Sequence, residues 1–183
     1  MIIKNSMLRQ KGFTLIEVLI AIGIIVAISG VAGDTFFSVY RNYTKANLTL
    51  EAKQQGNSVL SLAEKSLRDA LNVSTISSQV LQVTKRPNIY EEIGCVSGSA
   101  STNGYIYSKV GSASSPESKL TNDDLRSGVN VKNCVFSVDY VADKPTVKTL
   151  KIYFELTQSV SAPSRVEFQS SIPFELTLVL RNQ

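Results

Sequence analysis

All five prolines of this chain fall at or after Pro87, so nothing in the backbone forbids one continuous helix from Phe13 to about Leu71. The first part of that stretch, residues 13–33, is apolar almost all round. At about 1.5 Å per residue it is long enough to cross a bilayer. The second part, residues 34–72, changes character. Phe36, Phe37, Tyr40 and Tyr43 carry an apolar stripe, and Leu60, Ala63, Leu67 and Leu71 resume it at three-to-four spacing. Lys53, Glu64, Lys65, Arg68 and Asp69 take the other positions. Such an amphipathic helix needs a partner for its stripe. Residues 42–58 are weak helix formers and include Gly56, which predicts a bend or frayed turn there.

Beyond Leu71 the period becomes two. Gln79–Thr84 reads as a strand, and 94–128 as a loop region rich in Gly, Ser, Thr and Asn with a short strand at Tyr105–Val110. Phe136, Val138 and Tyr140 alternate with polar residues, Asp143-Lys144-Pro145-Thr146 supplies a turn, and Leu150, Ile152, Phe154 and Leu156 alternate again. Val166, Phe168, Ile172, Phe174, Leu176, Leu178 and Leu180 give one face of a long last strand, with Pro173 on the other face, as at an edge or bulge. One-sided strands of this kind make an antiparallel sheet with one apolar face, and the helical stripe is there to cover it. The predicted class is α+β, a long N-terminal helix packed on an antiparallel sheet, with the β-rich domain at 73–183.

The chemistry concentrates at the N-terminus, in Lys11-Gly12-Phe13-Thr14-Leu15-Ile16-Glu17. Lys4, Arg9 and Lys11 precede the apolar run, and one carboxylate, Glu17, stands inside it. An acid at the centre of a membrane helix costs roughly 2.5–3.5 kcal/mol on insertion scales, so an intramembrane acid is a functional candidate by default. Gly12, Phe13 and Glu17 in this register resemble the signature of type IV pilins and type II secretion pseudopilins. The closing Phe174-Glu175-Leu176-Thr177-Leu178-Val179-Leu180-Arg181-Asn182 and the helix exit at 62–74 are similar to minor pilins and pseudopilins of the PilW and GspJ type.

The resemblance implies a leader, residues 1–12, cut after Gly12 by the membrane-embedded prepilin peptidase, with methylation of the new amine of Phe13. It implies that Glu17 neutralises the amine of a neighbouring subunit during assembly; pairing within one chain is the alternative. Partners would be the peptidase, other major and minor pilins met through N-terminal helices, an inner-membrane assembly platform and membrane lipid. The expected role is a minor subunit of a type IV pilus, in its priming or tip complex. A GspJ-type pseudopilus subunit, a competence-pilus component, a major pilin, a tethered exported enzyme and a non-polymerising anchored adhesin stand as alternatives. A secretory signal peptide would need a cleavage site after the apolar run, and no Ala-x-Ala-like site is evident near Gly30–Gly33.

The three leader cations place the N-terminus on the cytoplasmic side and the remaining chain outside the inner membrane. The formal charge is +4, and loss of those three leaves +1. No block of lysines or arginines remains to form a nucleic-acid groove. In an exported domain, Cys95 and Cys134 are most simply read as a disulfide, which would stabilise by roughly 3–4 kcal/mol in the chain-entropy model. Two reduced, buried cysteines are the other reading. With no histidine in the chain, the commonest general base and metal ligand is missing, so no catalysis, metal or cofactor is expected. Asp123 and Asp124 read as surface acids of a polar loop, with a calcium site as the alternative. Gly23, Ala27, Gly30 and Gly33 read either as a helix-packing face or unwinding segment, or as ordinary membrane-helix glycines.

Overall fold

The computed structural model describes residues 12–87, 89–112, 114–141, 144–164 and 169–181. The expected leader up to Lys11, Asp143 of the expected turn, and Val166 and Phe168 of the expected last strand lie outside these residues. The chain divides into two compact units, Met1–Asn42 and Tyr43–Gln183.

The first unit holds the apolar part of helix α1, which in full spans Leu15–Arg68. Leu15, Ile16, Leu19, Ile20, Ile24 and Ile28 are all exposed, an arrangement consistent with a helix anchored in a membrane. Ser29 Oγ donates to the Ile25 carbonyl at 2.7 Å and Thr35 Oγ1 to the Val31 carbonyl at 2.9 Å, so both hydroxyls satisfy themselves within the helix.

In the second unit, the C-terminal part of α1 buries Ala52, Gly56, Val59, Ala63, Ser66 and Leu67. Their three-to-four spacing makes one face, and small residues dominate it, which lets the sheets approach closely. The first sheet is built from β1 (Ala70–Ser77), β2 (Val80–Lys85), β3 (Ile89–Val96), β4 (Tyr105–Val110) and β5 (Ser118–Lys119), in that spatial order and antiparallel throughout. The second is β6 (Val129–Val141), β7 (Lys144–Gln158) and β8 (Ser171–Arg181), also antiparallel and in chain order. Leu81, Val83, Ile93 and Ile106 of the first sheet, Val131, Leu150, Ile152, Phe154 and Leu156 of the second, and Val59, Ala63 and Leu67 of the helix form one hydrophobic core.

The α+β class and the helix-on-sheet plan hold, and four details differ. There are two sheets rather than one. The helix stops at Arg68, because the β-branched Val73, Thr75 and Ile76 that follow favour a strand over a helix. Helical structure runs unbroken through 42–58, so the expected frayed turn is absent there, and Gly56 is a contact point for the Phe174 ring. Lys144, Pro145 and Thr146, expected in the turn, belong to β7, and Lys144 pairs with Val141. β1 and β3 were not legible as strands. In β3 the inward alternation Glu91, Ile93, Cys95 includes a carboxylate, and Gly94 between them is also buried, under Tyr107. Pro173 stands exposed on edge strand β8 as anticipated, while Ile172, Phe174, Leu176, Leu178 and Leu180 share the covered face.

Candidate functional site: the start of the membrane helix

Gly12, Phe13 and Thr14 precede the first helical residue, Leu15, and all three are exposed. Around Gly12 there is open space, with no atom within 4 Å of where a Cβ would stand. The bond between Gly12 and Phe13 therefore lies in exposed, non-helical chain just before the helix, with open space at Gly12.

Thr14 and Glu17 hold the helix start. The Glu17 carboxylate Oε2 accepts from the Thr14 backbone N–H at 2.9 Å and from Thr14 Oγ1 at 3.0 Å. In return, the Glu17 N–H donates to Thr14 Oγ1 at 3.3 Å, and the first intrahelical bond runs from Val18 N–H to the Thr14 carbonyl at 3.3 Å. This reciprocal arrangement is a capping box, with Thr14 as N-cap and Glu17 as the third helical residue. Two N–H groups that a helix start leaves without partners are thus satisfied. Thr14 has no role in the sequence reading above, although Ser/Thr-x-x-Glu before an apolar run is a legible signal for it. Glu17 stands in the first turn of the helix, where the helix dipole favours an acid, rather than at the middle of the apolar stretch, where an acid in lipid is costliest.

Past this cap the helix is long and apolar enough to cross a membrane, and its apolar stretch is not buried among the described residues. Three of the small positions along it behave alike: among the described residues, nothing lies within 4 Å of an added Cβ at Gly23, Gly30 or Gly33.

The other sequence candidates lie in the second unit. Cys95 of β3 and Cys134 of β6 are joined in a disulfide, with a Cα–Cα separation of 6.4 Å, which ties the two sheets together. Asp123 pairs with Lys119 at 2.6 Å. The Asp124 carboxylate accepts the N–H groups of Arg126 and Ser127, both at 2.8 Å, and the Ser127 hydroxyl at 3.0 Å. These donors hold the Asp124 carboxyl below its ordinary pKa, the Ser127 N–H contributing most. Its oxygens thus close a turn and face N–H and O–H donors. Among the described residues, no three His, Cys, Asp or Glu side chains gather as metal ligands would.

Buried Asn103 organises the same loop and is absent from the sequence reading. Its amide nitrogen donates toward the carbonyls of Asp123 and Asp124 and to Ser159 Oγ, and its oxygen accepts the Val160 N–H at 2.8 Å. No local pattern marks it, because its partners lie 20 to 57 residues away.

Compared with known protein families, residues 7–33 match the prokaryotic N-terminal methylation motif. No curated protein and no solved structure matches the chain. The motif supports a type IV pilin or pseudopilin processed by prepilin peptidase, and it covers the cap, the junction at Gly12 and the whole apolar span.

Proposed function

We propose that this chain, which carries the prepilin-type methylation motif, is a minor pilin or pseudopilin that enters a type IV pilus or related filament as part of its priming or tip complex. The observation that carries the reading is the junction itself: an open Gly12–Phe13 bond, followed at once by a Thr14–Glu17 cap on an otherwise apolar helix. In this account the chain sits in the inner membrane with its leader cytoplasmic and its β-rich unit outside. Prepilin peptidase removes residues 1–12, Phe13 is methylated, and the subunit joins others through its N-terminal helix.

Cleavage creates a cationic amine at Phe13, four residues before Glu17. Two charges drawn from water into a bundle of helices must be paired, since an unpartnered charge there is strongly unfavourable. Glu17 meets that need for the amine of a neighbouring subunit, and the open faces of Gly23, Gly30 and Gly33 let the helices come close.

Two substitutions separate capping from charge pairing. Glu17→Gln keeps an acceptor at the third helical position, and so retains the capping box, but removes the charge. Glu17→Ala removes both. Both variants are expected to be cleaved after Gly12 and to be missing from the sheared filament fraction. Incorporation of Glu17→Gln at the wild-type level would show that Glu17 serves only the helix start and would overturn the pairing.

A further inference from the structure

The apolar span is followed by exposed rings. Phe36, Phe37 and Tyr40 are 67, 60 and 62% exposed, all in the first unit, and Phe36 and Phe37 meet edge to face with centroids 6.1 Å apart. At 100° per residue these three positions fall within about a third of the helix circumference, so they form one patch. Rings this exposed, side by side, mark a contact surface.

The length of the helix says what the surface contacts. Leu15 to Gly33 rises about 27 Å, close to the roughly 30 Å hydrocarbon core of a bilayer. With the cap at one boundary, Gly33 stands at the other. Phe36 and Phe37 then follow by about 5–6 Å and Tyr40 by about 10 Å. The headgroup zone is roughly 5–7 Å deep on each side. Helical side chains lean toward the N-terminus and cover the preceding turn, so the rings, Tyr40 included, reach back into that zone. Arg41, also exposed, follows directly, and a side chain of that length reaches lipid phosphates while its stem lies along apolar surface.

We infer that Phe36, Phe37 and Tyr40, with Arg41, form an interfacial anchor that seats the unassembled subunit in the headgroup layer on the far side of the bilayer from its helix cap. Aromatic side chains are favoured at that depth because an apolar ring and a polar edge are both accommodated. The anchor rests on the membrane-span reading proposed above. It fixes how far the helix is drawn into the membrane, and hence where Glu17 stands relative to the opposite boundary.

The chain has no tryptophan, so single-tryptophan variants of the full chain report depth without background. Phe37→Trp and Tyr40→Trp, with Ile25→Trp as a mid-span reference and Tyr140→Trp as a solvent reference, are reconstituted in vesicles of phosphatidylethanolamine and phosphatidylglycerol. A fraction of the lipid carries bromine either near the headgroup or near the chain ends. Phe37→Trp and Tyr40→Trp are expected to shift to the blue relative to Tyr140→Trp and to lose more intensity to headgroup-proximal bromine. Ile25→Trp is expected to show the reverse preference. If Ile25→Trp is quenched while Phe37→Trp and Tyr40→Trp are not, or if these two respond most to chain-end bromine, the anchor is wrong and the span stands. If Ile25→Trp is quenched by neither lipid, the span reading itself fails and the anchor with it.

Discussion

The Phe174 ring occupies the space that a side chain on Gly56 would need: a Cβ there would stand 2.2 Å from Phe174 Cζ. Phe174 is 7% exposed and stacks on Phe154 with centroids 5.1 Å apart, so it has little room to retreat. Gly56 is therefore the point at which edge strand β8 touches the helix backbone. In an exposed helix, Gly→Ala gains up to about 1 kcal/mol of propensity, whereas overpacking a core loses about 1–3 kcal/mol. Gly56→Ala is expected to be net destabilising by about 1 kcal/mol in denaturant unfolding. Adding Phe174→Leu should recover part of the loss, a coupling that a double-mutant cycle reads directly.

Glu91 is a buried carboxylate on β3. It forms an ion pair with Lys85 and accepts from Ser66 Oγ of the helix at 2.9 Å and from Ser108 Oγ of β4 at 3.4 Å. Lys85→Met leaves that charge under the helix with only hydroxyls for partners. The loss should be about 2–3 kcal/mol, below the full penalty for a broken buried pair because the lysine is a quarter exposed. Lys85→Met combined with Glu91→Gln removes the charge and keeps the acceptor for Ser66, and should be more stable than Lys85→Met alone. Equal stability of the two would show that the burial of Glu91 is not felt.

The lowered pKa of Asp124 gives a pH signature. A carboxyl whose folded value lies below its unfolded value, about 3.9, stabilises fully above that unfolded value. The contribution disappears as pH falls through the folded value. Asp124→Asn keeps an acceptor oxygen without the charge. The wild type should be the more stable near neutrality, and the two stability curves should converge in the acid limb. A difference that stays constant from neutral to acid would remove the carboxylate from the account.

The Cys95–Cys134 bond closes a sequence separation of 39 residues and joins the two sheets. Replacing both cysteines by alanine should lower stability by roughly 3–4 kcal/mol. Thiol labelling of the unreduced native chain should find no reactive group. Stoichiometric labelling would contradict the pairing.

What could be read from the sequence was what local pattern encodes. The proline-free stretch gave the helix, one-sided alternation gave β6, β7 and the covered face of β8, and the Gly12–Phe13–Glu17 register gave the candidate junction. What stayed hidden depends on distant partners. Gly56 looks like a weak point until Phe174, more than a hundred residues on, fills the gap it leaves. Glu91 disguises β3 because its partners come from three other elements. The division into two sheets is a matter of pairing order, which alternation within one strand does not record. Thr14 is different in kind: its capping signal lies within four consecutive residues, because Glu17 serves both as the acid of the apolar run and as the partner of the helix start.

Peptide mass spectrometry of the sheared filament fraction tests the central claim most directly. Trypsin cuts after Lys11 and after Arg41, so an unprocessed chain yields a peptide beginning at Gly12. A processed one yields the same peptide shortened by glycine and beginning at N-methylated Phe13. The account predicts the methylated form, at a few copies for each filament's worth of major subunit. A Gly12-initiated peptide from membranes, with nothing in the filament fraction, would contradict it.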